Sequence, residues 1–169
     1  MTGRQAGTAV VAIMFLLAAG PAFAKPKSSP PEERAKAVAF SRELEAQPMG
    51  EEAAAKRAWL IAWWQKVPDL TVTLCDLLGP MPKDDHPFFG EVLTQSMFTM
   101  GAFIIEHPEA SKDKVAVQTA GMQGALKVYE TFAKAMPEGR LPFLDDLLKK
   151  RDAGALETYM HDAVAKGCS

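Results

Sequence analysis

Two carboxylates and a histidine stand next to one another in the middle of the chain, at Asp84, Asp85 and His86. A carboxylate beside an imidazole is the combination that general acid–base catalysis uses. The same residues also suit a structural role, because Asp85 or His86 followed by Pro87 is typical of the start of a helix. A small hydrolase or metal-dependent enzyme that uses this loop is therefore one of two hypotheses for the function.

Glu157 and His161 are four residues apart, a spacing that places both side chains on one face of a helix. A metal site can use such a pair, but ordinary surface contacts use it too. The sequence contains no HExxH motif, no glycine-rich phosphate loop and no serine in a nucleophile-elbow context. We therefore predict no metal site and no cofactor, and the sequence offers no recognisable set of catalytic groups.

Aromatic residues supply the other hypothesis. Trp59 and Trp63 are four residues apart and share a helical face, whereas Trp64 points elsewhere, and Phe88 and Phe89 follow later in the chain. Such clusters are more often part of a core, but they also line ligand grooves and partner interfaces. The favoured hypothesis is a non-enzymatic binding module, in which these five residues lie near a groove for a protein, a peptide or an apolar small ligand.

The first residues of the chain have the pattern of an export signal. Ala9–Ala19 carries no charged side chain and, as a helix, would reach about 16 Å, roughly half of a bilayer core. Ala22 and Ala24 then place small residues where a leader peptidase cleaves. We expect residues 1–24 to be a signal peptide that is removed after Ala24, with export to the periplasm or the cell exterior.

The rest of the chain divides into a flexible tether over residues 25–31, rich in Lys, Pro and Ser, and a helical domain over residues 32–169. Without the leader, the 19 basic residues fall to 18 against 21 acidic residues, a net charge of −3. This balance argues against a nucleic-acid partner, which would need a concentrated basic surface. No second long apolar run follows, so no membrane span is predicted after the leader is removed.

Cys75 and Cys168 both fall in the part that we expect to be exported. An oxidising compartment favours a disulfide between them, although a buried thiol at Cys75 and a loose one at Cys168 is the alternative. The chain has no Cys-x-x-Cys motif, so neither alternative points to redox catalysis.

Hydrophobic spacing and helix start and stop signals predict an all-α single domain of six or seven short helices, packed as a bundle or an irregular array of antiparallel helical hairpins. Residues 70–74 alternate as a strand would, but Asp69 before them and Gly79 after them favour a short helix, which we predict. The other predicted helices cover residues 31–46, 51–66, 87–106, 113–135, 141–152 and 155–166.

Glycines inside two of these helices predict close packing. Glycine costs about 1 kcal/mol relative to alanine in a helix, so Gly101, Gly121 and Gly124 need a structural reason. We expect Gly101 and Ala102 on one helix to meet Ala120, Gly121 and Gly124 on the next, in an antiparallel hairpin.

Residues 125–137 resemble the second helix of a tetratricopeptide repeat, through Ala125, Tyr129 and Pro137. Phe132 departs from that pattern, which prefers a small residue there, and no period of about 34 residues recurs along the chain. The resemblance implies packing of helical hairpins and a peptide-binding or scaffolding module.

Overall fold

The computed structural model describes residues 28–80, 82 and 86–168. Over these residues the chain forms six α-helices, two short 3₁₀ turns and no strand, which confirms the all-α prediction. The predicted signal peptide, including Ala22 and Ala24, lies outside the described residues. The helices are α1 (Pro31–Ala46), α2 (Ala53–Trp64), α3 (Phe89–Glu106), α4 (Lys114–Ala135), α5 (Pro142–Asp152) and α6 (Leu156–Gly167). None of these helices combines the length and the apolar composition that crossing a bilayer requires.

Helices α3 and α4 form the hairpin around which the other helices pack. Pro108 follows the end of α3, where proline disfavours helical backbone at the residue before it. Helix α4 begins after Asp113, whose Oδ1 accepts a hydrogen bond of 3.0 Å from the backbone N–H of Ala116. The short connection folds α4 back along α3, as the sequence predicts.

The glycines of this hairpin show how closely its helices approach. A Cβ atom at Gly121 would stand 2.6 Å from Met100 Cγ, and one at Gly124 would overlap the side chain of Thr99. Both contacts confirm that Gly121 and Gly124 pack closely on α3, but their nearest neighbours are Met100, Ser96 and Thr99, not the predicted Gly101 and Ala102. The prediction for Gly101 is wrong, because the space above Gly101 is filled by the indole of Trp64 from α2. Successive helical residues are about 100° apart, so Gly101 lies on a different face from Met100.

The described residues form two apolar clusters, and α4 lies at the centre of the larger one. Phe88 stacks on Phe132, with ring centroids 5.2 Å apart. The fully buried Tyr129 donates a hydrogen bond of 2.7 Å to Asp145 Oδ1 and accepts one of 2.7 Å from the backbone N–H of Leu141. Burial raises the pKa of Tyr129 to about 12. This tyrosine therefore acts as a neutral anchor that joins α4 to α5.

The smaller cluster joins α1, α2 and the middle of α3. Its buried residues are Ala37, Leu44, Ala53, Leu60, Trp63 and Phe98. Because only α2 separates much of this cluster from solvent, the apolar second half of α2 is partly exposed on its outer side. The cluster therefore holds the tryptophans of α2 close to the protein surface.

The segment after α2 has no helix, so the predicted helix over residues 69–78 is wrong. The backbone of residues 70–75 also forms no strand. Tertiary contacts fix this segment: the side-chain amide of Gln118 donates a hydrogen bond of 2.6 Å to the carbonyl of Thr73, and Leu77 is buried in the larger cluster. The β-branched run Thr71–Thr73 favours an extended backbone, and these contacts outweigh the helix signals at either end.

Cys75 joins the same segment to the end of α6. It forms a disulfide with Cys168, with Cα atoms 5.1 Å apart, as predicted. The bond spans 93 residues of sequence. It therefore fixes the C-terminal end of α6 to the segment that leaves α2.

Candidate functional site

A surface groove of about 460 Å³ lies beside two of the predicted binding residues, Trp59 and Trp63. We call it the tryptophan groove. Helix α2 provides one wall, the start of α1 another, and the chain after α2 the third. Its lining residues are Ser29, Pro30, Glu33, Trp59, Ala62, Trp63, Lys66, Val67 and Pro68.

The two tryptophans of this groove are fixed in place. Their rings are stacked with centroids 6.0 Å apart and planes inclined by 9°, as side chains four residues apart on a helix allow. The indole Nε1 of Trp63 donates a hydrogen bond of 2.9 Å to Glu33 Oε2, which satisfies the only polar atom of a side chain that is 6% exposed. The ammonium of Lys36 lies 4.5 Å from the ring centroid of Trp59, which is half-buried. The groove therefore presents rigid aromatic surface that needs little ordering when a ligand binds.

A polar clamp holds the remaining walls of the groove together. Asp69 accepts a hydrogen bond of 3.1 Å from the backbone N–H of Ser29 and forms an ion pair with Arg34, whose Nε also donates to Ser29 Oγ at 2.8 Å. Desolvation by itself would raise the pKa of Asp69, but the hydrogen bonds from Ser29 and the charge of Arg34 outweigh it and hold the pKa below its ordinary value. Ser29, in the predicted tether, is buried by these contacts.

The other three aromatic residues of the prediction do not line this groove. Trp64 turns inward onto Gly101 of α3, and Phe88 is fully buried in the larger cluster against Phe132. Phe89 is buried at the first position of α3. The structure thus brings Trp59 and Trp63 together at one surface, buries Phe88 and Phe89 in the interior, and packs the partly buried Trp64 on α3.

Both ring nitrogens of His86 form hydrogen bonds with the protein backbone. Its Nδ1 accepts hydrogen bonds from the backbone N–H groups of Phe89 at 3.1 Å and Phe88 at 3.4 Å, at the start of α3. Its Nε2 lies 3.0 Å from the carbonyl oxygen of Gly139, to which it donates. Since backbone N–H groups only donate and carbonyl oxygens only accept, Nδ1 is the acceptor and Nε2 the donor, and both ring nitrogens are occupied by backbone contacts. Asp84 and Asp85 lie outside the described residues.

The second candidate pair, Glu157 and His161, lies on the exposed side of α6. His161 Nδ1 stands 3.6 Å from Asp162 Oδ1, and both side chains are largely exposed. Within the described residues no group of three or more His, Cys, Asp or Glu side chains converges in a way that could hold a metal ion.

A polar cluster forms around the buried carboxylate of Glu45, which was not among the predicted site residues. Glu45 Oε1 accepts hydrogen bonds from Arg42 Nη1 at 2.7 Å and from Thr99 Oγ1 at 2.8 Å, while Oε2 accepts one from Lys127 Nζ at 2.7 Å. We call these four residues the Glu45 cluster. It joins α1, α3 and α4 through a carboxylate whose two oxygens are both satisfied. Its signal in the sequence is that Glu45 lies on the same face of α1 as Ala37, Ser41 and Leu44, all of which are buried.

Comparison of the chain with protein-family models, with curated proteins and with solved structures finds no match. The functional assignment of this chain therefore rests on the geometry of its own residues.

Proposed function

We propose that this protein is an exported, non-enzymatic binding module, and that its tryptophan groove binds an apolar segment of a protein or peptide. The observation that carries the proposal is the stacked Trp59–Trp63 pair, held at the surface beside a groove of about 460 Å³. Rigid aromatic rings that are partly desolvated are the usual anchors of protein interfaces. Pro30 and Pro68 on the groove walls add apolar surface without conformational freedom.

Export is supported by the sequence of residues 1–24 and by the pairing of Cys75 with Cys168. Disulfides persist in oxidising compartments, and this one joins two segments far apart in the chain. Both features fit a protein that works in the periplasm or outside the cell.

The contacts of His86 favour binding over catalysis. A general base needs a free lone pair within reach of its substrate, and the lone pair of His86 Nδ1 already accepts backbone hydrogen bonds at the start of α3. A proton taken up at Nδ1 would break both contacts. This arrangement suits a residue that positions α3 against Gly139 better than one that exchanges protons with a substrate.

Selection from a displayed library of random peptides tests the proposal. The bait is the protein without its predicted signal peptide, and two variants with a substitution on α2 serve as comparison. Ala62→Glu places a charged chain in the groove at an exposed position, whereas Ala54→Glu makes the same change at an exposed position outside the groove lining. We expect peptides rich in apolar and aromatic residues that bind the wild type and Ala54→Glu but lose binding to Ala62→Glu. Peptides that bind all three proteins equally would contradict the proposal.

A further inference from the structure

A second groove, of about 350 Å³, runs along one face of α4. Its lining extends from Asp113, the residue before α4, to Lys127 on α4, and Arg42 of α1, Phe103 of α3 and Glu157 of α6 complete its sides. Fourteen helical residues span about 21 Å, which an extended peptide of about six residues also spans. No residue lines both this groove and the tryptophan groove. We call it the α4 groove.

Thr119 provides the observation that points to a ligand. It lines the α4 groove, the residue is 9% exposed, and its Oγ1 has no hydrogen-bond partner among the described residues. Buried polar atoms in folded proteins nearly always have a partner, whereas Thr119 Oγ1, which exposes less than 1 Å² in this rotamer, has none among the described residues. Threonine in a helix populates two χ1 rotamers, and a change between them redirects the hydroxyl without moving the backbone.

The charges of the groove differ between its two ends. Arg42 and Lys127 both pair with Glu45, and Arg42 also pairs with Glu106, so two carboxylates balance these two cations. At the other end, Asp113 and Glu157 form no ion pair with any described residue. The exposed side chains of Lys112 and Lys114 are not part of the lining. At the start of α4 the lining therefore carries two carboxylates and no cation, and it is open to a basic group.

We infer that the α4 groove binds an extended peptide segment of a protein partner, with a lysine or arginine side chain between Asp113 and Glu157. The peptide backbone passes over Thr119, whose hydroxyl gains a hydrogen bond to a main-chain group. Phe103 and Ala120 supply the apolar surface in the middle of the groove. The Glu45 cluster holds α1, α3 and α4 in fixed register, so the groove is formed before the peptide arrives.

The probe for this inference is a pair of acetylated and amidated hexapeptide pools with a fluorescent label, one with lysine and one with glutamate fixed at a terminal position. Fluorescence anisotropy measures their binding to the wild type and to variants. We expect the lysine pool to bind the wild type at least about tenfold more tightly than the glutamate pool. Glu157→Lys should reverse this preference, while Glu138→Lys, the same charge change at an exposed position outside the groove, should preserve it.

Thr119→Val separates a binding role of the hydroxyl from a role in folding. This variant has nearly the same shape and lacks the hydroxyl, so we expect affinity for the lysine pool to fall about tenfold while the melting temperature stays equal or rises. Equal binding of the two pools to the wild type would overturn the inference. So would a Thr119→Val variant that binds the lysine pool as tightly as the wild type.

Discussion

Two opposing effects, helix propensity and steric overlap, determine how a substitution at Gly101 changes stability. Replacing a helical glycine by alanine gains about 1 kcal/mol of helix stability. In α3, however, a Cβ atom at Gly101 would overlap Cζ2 and Cη2 of the Trp64 indole. Forcing a side chain into packed space costs about 1–3 kcal/mol, and expelling the mostly buried indole would cost about 2–4 kcal/mol of lost burial. The steric effect is larger, so we expect Gly101→Ala to destabilise the protein by about 1–2 kcal/mol.

Gly90→Ala is the matched control on the same helix. A Cβ atom at Gly90 would meet no heavy atom within 4 Å, so only the gain in helix propensity remains. We expect this variant to be more stable than the wild type by about 0.5 kcal/mol, less than the full propensity difference because Gly90 lies in the first turn. Urea denaturation followed by circular dichroism at about 222 nm measures both changes.

A double substitution identifies the cause of the stability that Gly101→Ala loses. Trp64→Phe removes the part of the ring that overlaps the new Cβ atom, so Gly101→Ala should destabilise a Trp64→Phe background much less than the wild type. If Gly101→Ala is as stable as the wild type, or if its cost is unchanged in the Trp64→Phe background, the packing of Trp64 on Gly101 is refuted.

Three further predictions concern other parts of the molecule. Thr119→Val should raise the free energy of unfolding by about 1 kcal/mol, because it removes an unsatisfied buried hydroxyl; Thr119→Ser, which keeps the hydroxyl, should show no gain in urea denaturation. Because the pKa of Asp69 is lowered in the folded state, its contribution to stability is present above the ordinary aspartate pKa, about 3.9, and is lost as the pH falls through the folded value. The difference in urea midpoint between the wild type and Asp69→Asn should therefore be constant from pH 7 to about 5 and shrink in more acidic buffer; a difference that grows on acidification would contradict the clamp. Replacing Cys75 and Cys168 by serine should lower the free energy of unfolding by about 2–5 kcal/mol, measured against the oxidised wild type, and a variant of unchanged stability would show that the bond does not constrain the unfolded chain.

Most helices were predictable because their signals are local. The apolar positions of α3 and α4 repeat at helical spacing, and Pro108 and Asp113 mark where one helix ends and the next begins. The predicted boundaries of α5 and α6 also lie within a residue or so of the observed ones. The sequence therefore predicts these helices without any information about tertiary contacts.

The segment after α2 was not predictable in the same way. Its leucines and its flanking Asp69 and Gly79 read as a short helix, but its conformation is set by Gln118 and Cys168, which are distant in sequence. The prediction that Gly101 contacts α4 failed for a related reason. The spacing of residues in a sequence does not say which of two neighbouring helices faces a glycine. Local signals do not decide a conformation that long-range contacts determine.

The candidate site was predictable in part. The spacing of Trp59 and Trp63 correctly places the two rings on one face of α2, and the structure shows them stacked beside a groove. Nothing in the spacing indicates that Glu33 would satisfy the Trp63 indole, because this contact joins α1 to α2. Nor does it indicate that Ser29 and Asp69 would close the groove walls, because this contact joins the chain before α1 to the chain after α2. The burial of Glu45 follows from its face of α1, but its partners Thr99 and Lys127 do not.

Site-specific photo-crosslinking tests the binding proposal most directly. A photoreactive phenylalanine analogue is placed at Ala62 in the tryptophan groove and, for comparison, at Ala54 on the exposed side of the same helix. The proteins are expressed in their native host, irradiated, and analysed by mass spectrometry. We expect a discrete crosslinked protein or peptide at position 62 that is absent at position 54 and is lost when Trp59 is replaced by serine. Equal crosslinking at both positions, or none at position 62, would contradict a binding role for the tryptophan groove.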